Sequence, residues 1–229
     1  MFFVSGYGGT RKTYLWNAIC AFLRGKREIV LTVASSGIGS LLLPGGRTAH
    51  SRFKIPIDND DEMVCDIKRG SRLHKLLKVT SLIIWDEALM SNRRCFEALD
   101  RTLRDVLSAD DPLLSDVPFG GMVVVLGGDL RQILLVIEGG TRPQIVDATI
   151  TNSPLWQFVK VLSLTVNMCL AVPDADPSVQ ESVALFSKWV LDLGEGRLPT
   201  THKGGESDPS WIEIPADLLV KTDGDRIGD

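Results

Sequence analysis

Gly6-Tyr7-Gly8-Gly9-Thr10-Arg11-Lys12-Thr13, preceded by the apolar run Met1-Phe2-Phe3-Val4-Ser5, is the stretch that decides the fold. It follows the phosphate-binding pattern G-x-x-x-x-G-K-[ST] at every position but one, Arg11 standing where the second glycine belongs. In such a loop Gly6, Gly8 and Gly9 let backbone N–H groups curl around the phosphates, with Thr10 and Arg11 completing the turn. Lys12 reaches the β- and γ-phosphates, and the Thr13 hydroxyl goes to Mg²⁺. After Thr13, apolar residues at Leu15, Trp16, Ile19, Phe22 and Leu23 predict one buried helix face. Strand, glycine turn and helix together place an anion on the helix N-terminus, whereas a glycine-rich turn alone would carry no such meaning.

The rest of the chain supplies the sheet that such a loop needs. Strands are expected at Phe2–Ser5, Ile29–Ala34, Ser81–Asp86, Met122–Gly127 and Lys160–Leu164. The second and fourth are nearly continuous apolar runs, as strands covered on both faces should be. Ser91 is the expected N-cap of a helix with Phe96, Leu99, Leu103, Val106 and Leu107 as its stripe. Ser153-Pro154 opens another with Leu155, Trp156 and Val159 inside. This alternation specifies an α/β domain with a mostly parallel five-stranded sheet flanked by helices.

Composition narrows the function classes. The 229 residues carry 44% hydrophobic and 24% charged side chains, ordinary for a globular protein. No apolar run reaches the ~18 residues of a membrane span, so no membrane partner is expected, and the short N-terminal stretch does not read as a signal peptide. Cys20, Cys65, Cys95 and Cys169 show no C-x-x-C spacing, and His50, His74 and His202 are dispersed; neither a disulfide framework nor a zinc site follows. The net charge of −4 argues against a wholly basic nucleic-acid binder. Two local basic segments remain, from Arg47 to Lys54 and from Lys68 to Lys78.

A second half-site follows the third strand, which ends Ile84-Trp85-Asp86-Glu87. Ligands of open α/β sheets sit outside the carboxyl ends of the strands, so Asp86 and Lys12 can meet there. Asp86 would hold Mg²⁺ together with Thr13, and Glu87 would orient and deprotonate an attacking water. The fourth strand ends Gly127-Gly128-Asp129-Leu130-Arg131-Gln132, delivering Gln132 to the same edge, where it could touch the γ-phosphate.

These stretches occur in order with Val33-Ala34-Ser35-Ser36-Gly37-Ile38 and Gly45-Gly46-Arg47-Thr48-Ala49-His50-Ser51, and Asn167-Met168 and the segment from Trp189 to Gly196 extend the pattern. The set resembles the Pif-type DNA helicases of superfamily one, relatives of the RecD helicases, and especially their expanded plant branch. The likeness covers about residues 1 to 220. It implies a RecA-like motor domain over residues 1–200, with 201–229 as a tail opening a second domain. It implies an ATP- and Mg²⁺-dependent 5′-to-3′ helicase acting on single-stranded DNA in repair, recombination and telomere maintenance. The address it implies is intracellular, the nucleus first and the mitochondrion second. Lys12 and Thr13 become nucleotide-loop residues, Asp86 and Glu87 the Mg²⁺ and water residues, and Gln132 the γ-phosphate sensor. Ser35, Thr48 and His50 fall in stretches that line the DNA path. Thr48, His50, Arg52 and Lys54 offer donors suited to phosphate, and His50 or Phe53 could stack on a base; a solvated loop is the plain alternative. Lys68, Arg69, Arg72, Lys75 and Lys78 read as the wet face of a helix.

Three positions depart from the family. Besides Arg11, Leu135 replaces a usual proline, and Cys169 follows Asn167-Met168 where an arginine is usual. An arginine near the γ-phosphate is worth ~10³–10⁵ in rate, and cysteine cannot replace it. After Gly196 only 33 residues remain, fewer than the ~50 of a second motor domain. A truncated or degenerate copy is therefore expected, with a nucleotide- or DNA-binding remnant that does not hydrolyse ATP as the alternative function. A small-molecule P-loop kinase is a third reading, disfavoured because no arginine-rich lid is evident.

Overall fold

The computed structural model describes residues 1–57, 60, 62–129, 131, 137–168, 170, 177–202 and 211–219. In chain order the regular elements are β1 (Phe2–Gly6), α1 (Lys12–Gly25), β2 (Ile29–Ala34), α2 (Gly37–Leu41), β3 (Arg47–Thr48), α3 (Ala49–Phe53), α4 (Arg72–Lys78), β4 (Thr80–Asp86), α5 (Arg93–Ser108), β5 (Val123–Gly128), α6 (Arg142–Asp147), β6 (Lys160–Leu164), α7 (Pro177–Gly194), β7 (Thr200–Thr201) and β8 (Trp211–Ile212). Two compact units divide the chain, Met1–Pro173 and Asp174–Asp229.

The first unit is built on a six-stranded sheet in the order β3-β2-β4-β5-β1-β6, every neighbouring pair parallel. All five expected strands are present, and β3 is added at the edge. Alternate residues of each strand feed opposite faces, the two-residue period of the pleat. Phe3, Leu31, Val33, Ile83, Trp85, Val124 and Leu126 pack with Phe96, Leu99 and Leu103 of α5. Val4, Val30, Ala34, Leu82 and Ile84 pack with Trp16 and Cys20 of α1 on the other side. Helices thus cover both faces, which is why the strands read as unbroken apolar runs.

Pairing also aligns the carboxyl ends. Ala34 lies opposite Asp86, Ser5 opposite Gly128, and Gly6 opposite Leu164. The loops that leave those ends share one edge of the sheet. From β1 the chain crosses to β2, beyond β5 and β4, while β6 joins on the other side of β1. The phosphate-type loop therefore leaves where the winding changes direction, the usual ligand crevice of such sheets.

Several local expectations need correction. Phe22 is 62% exposed, with the Lys26 ammonium 4.2 Å from its ring centre, and Cys20 takes the core position. Residue 20 lies one turn past Trp16, whereas 22 falls well off that stripe at about 100° per residue. Asn92, not Ser91, caps α5 by accepting from the Arg94 N–H at 3.0 Å; Ser91 is buried and donates to Ser35 Oγ at 2.8 Å. Pro154–Phe158 is a 3₁₀ turn capped by Ser153, with Val159 just past its end. The stretch from Ala109 to Gly121 contains 3₁₀ turns at Pro112–Asp116 and Pro118–Gly121. Buried Asp100 anchors the second, accepting from the Phe119 N–H at 2.5 Å and from Arg104 Nε at 2.8 Å.

In the second unit α7 carries a stacked pair, Phe186 and Trp189, with ring centres 6.3 Å apart. Its C-terminal end is tied by Arg197 Nε to Asp192 Oδ1 at 3.0 Å. β7 and β8 form an antiparallel pair. No helix among the described residues is long and apolar enough to cross a membrane.

Candidate nucleotide and nucleic-acid site

The turn between β1 and α1 has the shape its glycines foretell, and Arg11 adopts the glycine conformation without being glycine. Gly9 has φ +86°, and a Cβ there would collide with Asn167 Oδ1. A Cβ on Gly6 would lie 2.5 Å from Thr10 Oγ1, whereas one on Gly8 would meet open space. Thr10 closes the turn, its hydroxyl donating to the Tyr7 carbonyl at 2.7 Å. Arg11 sits at φ 59°, ψ 40°, left-handed backbone that costs a non-glycine residue roughly 1–2 kcal/mol. Its side chain is exposed, so the replacement is spatially tolerated and conformationally strained. Relief of that strain minus the extra freedom glycine gives the unfolded chain predicts that Arg11→Gly raises stability by about 0.5–1 kcal/mol. Urea unfolding measures this, and an unchanged or lower midpoint would overturn it.

Arg11 caps α1 with no side-chain hydrogen bond, and the first turn of α1 holds no acidic residue. The leading N–H groups of a 14-residue helix are therefore open to an anion, with the helix dipole favouring it. Lys12 Nζ donates back to the Gly6 carbonyl, folding its ammonium over the loop. Asn167-Met168 lies against the same loop, the Met168 N–H donating to the Gly9 carbonyl at 3.0 Å. Tyr7 is pinned from two sides: its hydroxyl donates to the Thr165 carbonyl at 2.9 Å, and the Arg131 guanidinium carbon lies 5.2 Å from its ring centre. Thus the turn after β5 and the segment after β6 both reach the β1–α1 turn.

Asp86 ends β4 and is half-buried. Burial pushes its pKa up, against the lowering influences of the Glu87 N–H, the Trp16 indole and the Lys12 ammonium. A Cβ on Gly127 would meet Asp86 Oδ1 at 2.5 Å and Trp16 Cζ2 at 2.6 Å, so that glycine leaves room for both groups. A carboxylate under the influence of an ammonium is an oxygen donor of the kind Mg²⁺ takes, and Thr13 in the first turn of α1 carries a hydroxyl that can join it. Thr13 and Asp86 fit the ion as the residues that would hold it. Among the described residues no three His, Cys, Asp or Glu side chains cluster as a transition-metal site.

Glu87 has left-handed backbone at φ 53°, ψ 32°. Its carboxylate accepts from Ser36 Oγ at 2.5 Å, a contact between residues 51 positions apart that no pattern in the sequence reveals. Ser35 is turned inward: its hydroxyl accepts from Trp85 Nε1 at 3.0 Å and from Ser91 Oγ at 2.8 Å, and its N–H donates to the Asp86 carbonyl at 3.2 Å. Gln132, Leu135 and Cys169 lie outside the described residues.

Thr48 and His50 lie at the far edge of the sheet. Thr48 caps α3 by accepting from the Ser51 N–H at 3.3 Å. His50 Nε2 lies 3.6 Å from Cys95 Sγ, and burial lowers the imidazole pKa, so at neutral pH the ring is uncharged and acts as a hydrogen-bonding group. Phe53 cannot stack on a base, because it is fully buried, its ring centre 6.5 Å from that of Trp85. Beside His50 a pocket of about 590 Å³ is lined by Arg47, Arg52, Lys54 and Arg72. Arg52 Nη2 is held by the Gly45 carbonyl at 2.9 Å, and its pKa is lowered by burial and by Arg47 beside it. Arg72, expected on a wet helix face, thus joins the other basic segment. Arg69 and Lys78 pair instead with Asp105 and Asp110, at 3.5 and 2.6 Å.

A parallel sheet with a phosphate-type turn on its first strand and an acidic pair at the end of β4, one strand removed from it, defines a P-loop nucleotide-binding domain. The PIF1-like helicase family model matches residues 1–204, and the chain belongs to that family. It is 30% identical over 161 residues to the ATP-dependent DNA helicase PIF1 of Trypanosoma brucei brucei, covering 70% of this chain and 15% of that protein. It is 31% identical over 133 residues to the ATP-dependent DNA helicase Pif1 of Psychrobacter, covering 57% of this chain and 19% of that protein. Among solved structures, Pif1 helicase from Bacteroides in complex with ADP-AlF3 and single-stranded DNA matches with a TM-score of 0.67 and 24% identity, over 86% of this chain and 43% of that one. The chain thus spans less than half the length of each of these three proteins.

Proposed function

We propose that this chain is the first motor domain of an ATP-dependent DNA helicase, binding Mg²⁺–ATP between the β1–α1 turn and the end of β4. The observation that carries the reading is the N-terminus of α1, free of any side-chain cap, with Lys12 at its start and its ammonium acting on half-buried Asp86. In this reading the N–H groups of Gly8 to Thr13 hold the phosphates and Lys12 neutralises the β–γ charge. Thr13 and Asp86 hold Mg²⁺, which when bound supplies charge neutralisation at the leaving phosphate. Glu87 accepts the proton of the attacking water, and Gln132 senses the γ-phosphate. Single-stranded DNA lies along the turn that follows β2 and across Thr48, His50 and the basic pocket. The single-stranded DNA and ADP-AlF3 of the Bacteroides Pif1 complex support both ligand classes. Direction 5′-to-3′, roles in repair, recombination and telomere maintenance, and a nuclear or alternatively mitochondrial address follow from the same reading.

A second reading, binding without turnover, is favoured by Arg11. A strained arginine at the mouth of the phosphate turn and Cys169 in an arginine's place both bear on the same phosphates. ATP turnover by the purified chain, with and without oligo(dT), separates the two. The expected result is turnover near background for the parent and recovery of DNA-stimulated turnover in the Arg11→Gly/Cys169→Arg double variant. Robust DNA-stimulated hydrolysis by the parent would remove the second reading. Failure to bind Mg²⁺–ATP at all would remove the first.

A further inference from the structure

The Ser36 hydroxyl carries a single proton, and in this chain it is directed at the Glu87 carboxylate. Ser36 Oγ donates to Glu87 Oε2 at 2.5 Å while its oxygen accepts from the Gly39 N–H at 2.9 Å, capping α2. Glu87 is held firmly in this position. Its N–H donates to Asp86 Oδ1 at 3.0 Å, its carbonyl accepts from the Met90 N–H at 3.0 Å, and its carboxylate lies where a Cβ on Gly39 would come within 2.5 Å of Oε2. The left-handed backbone at Glu87 is the cost of that placement, and a non-glycine residue keeps such a conformation only where its surroundings over-determine it. The neighbouring Ser35 anchors the turn to the end of β4, whereas Gly37 and Ile38 face outward, Ile38 being 81% exposed.

A carboxylate engaged by a serine hydroxyl has one oxygen committed and its direction fixed, so it is less free to reach a water beside the nucleotide. A serine hydroxyl donates to one acceptor at a time. A DNA phosphate oxygen arriving at the turn would compete with Glu87 Oε2 for that proton. We propose that Ser36 is a positioning residue that parks Glu87, and that a DNA phosphate taking the Ser36 hydroxyl releases the carboxylate toward the nucleotide. The proposal rests on the reading of Glu87 as the water-activating base and of the turn after β2 as DNA-facing. It makes DNA occupancy and Glu87 placement two sides of one exchange, and such coupling is reciprocal.

Reciprocity makes it testable without turnover. Fluorescence anisotropy of labelled oligo(dT), at one fixed salt concentration, is measured for the parent, Glu87→Ala, Ser36→Ala and the double variant. Removing the carboxylate frees the hydroxyl, so Glu87→Ala is expected to tighten oligo(dT) binding by about fivefold or more, the lower range of ordinary coupling. In the Ser36→Ala background the same change is expected to have no effect, and in a Ser36→Thr background, which keeps both hydroxyl and cap, the tightening returns. Equal tightening with and without the hydroxyl would mean that only the negative charge matters, and would overturn the proposal while leaving the motor-domain reading intact. Binding of Mg²⁺–ATP with no oligo(dT) binding would also overturn it. Loss of both ligands in the parent would overturn the underlying reading itself. Circular dichroism on every variant, with Ser36→Thr as the fold-preserving control, keeps a folding defect from imitating either result.

Discussion

Trp85→Ala is expected to destabilise the first unit by about 3–5 kcal/mol, lowering its Tm by about 6–20 °C. Trp85 is 1% exposed and stands on β4 between two rings, with centres 6.5 Å from Phe53 and 6.4 Å from Phe96. Phe96 continues the chain of rings to Phe119 at 5.0 Å. Truncation removes the area buried by the indole and leaves a cavity that rings held by three different elements cannot close, so the transfer and cavity costs add. It also takes from Ser35 the indole N–H at 3.0 Å, although Ser91 continues to donate to that hydroxyl. That second loss is worth only about 1 kcal/mol, so volume decides the outcome. Trp85→Phe, which keeps most of the volume, should cost well under half as much. A Tm for the alanine variant within about 3 °C of the parent would show that the aromatic row does not hold the α5-side core together. Because Asp86 and Glu87 follow directly, the same variant should weaken nucleotide binding in step with stability.

How much of this was open to reading from the chain depended on the range of each interaction. β2 and β5 announced themselves because both faces are covered, and a short unbroken Val/Ile/Leu run bounded by polar turns suits little besides a strand buried on both sides. β3 did not, since Arg47-Thr48 is too short to show a period and pairs with only two residues of β2. The cap of α5 was misplaced by one residue because Ser91 and Asn92 are both good caps locally; a contact with Ser35, 56 positions away, assigns Ser91 elsewhere. The phosphate turn was legible because its chemistry is local, and so was the departure at Arg11, whose left-handed backbone gives the missing glycine a physical meaning. The partnership of Ser36 with Glu87 was not, since two ordinary residues on separate strand ends meet only when β2 pairs with β4. Phe53 misled for a related reason: it follows His50 and Arg52 in a polar stretch, yet α3 turns its ring under the sheet toward Trp85.

Lys12→Ala is expected to weaken Mg²⁺–ATP binding by about 10–100-fold, with little change in stability. The size follows from losing one charge-assisted contact to phosphate, about 1.5–3 kcal/mol, at 1.4 kcal/mol per factor of ten. Stability should barely move, since the side chain is only half-buried and its bond to the Gly6 carbonyl can be replaced by water. A second consequence travels through Asp86. Burial already raises that carboxyl's pKa, and the Lys12 ammonium is one of the influences opposing the rise. Removing it lets the pKa climb further, so Asp86 stays protonated, and unable to ligate the cation, up to a higher pH than in the parent. Deprotonation increases as pH rises, so the variant should regain part of its Mg²⁺–ATP affinity at higher pH, more steeply than the parent does. Glu87→Gln is the control that separates binding from chemistry: it should leave Mg²⁺–ATP affinity within about threefold of the parent, because in the proposed mechanism the residue acts on water rather than on the phosphates. Titrations of a fluorescent ATP analogue across a pH series read all three proteins. Equal affinities for parent and Lys12→Ala would remove the β1–α1 turn from nucleotide binding, and a parallel pH dependence would remove Asp86 from the cation site.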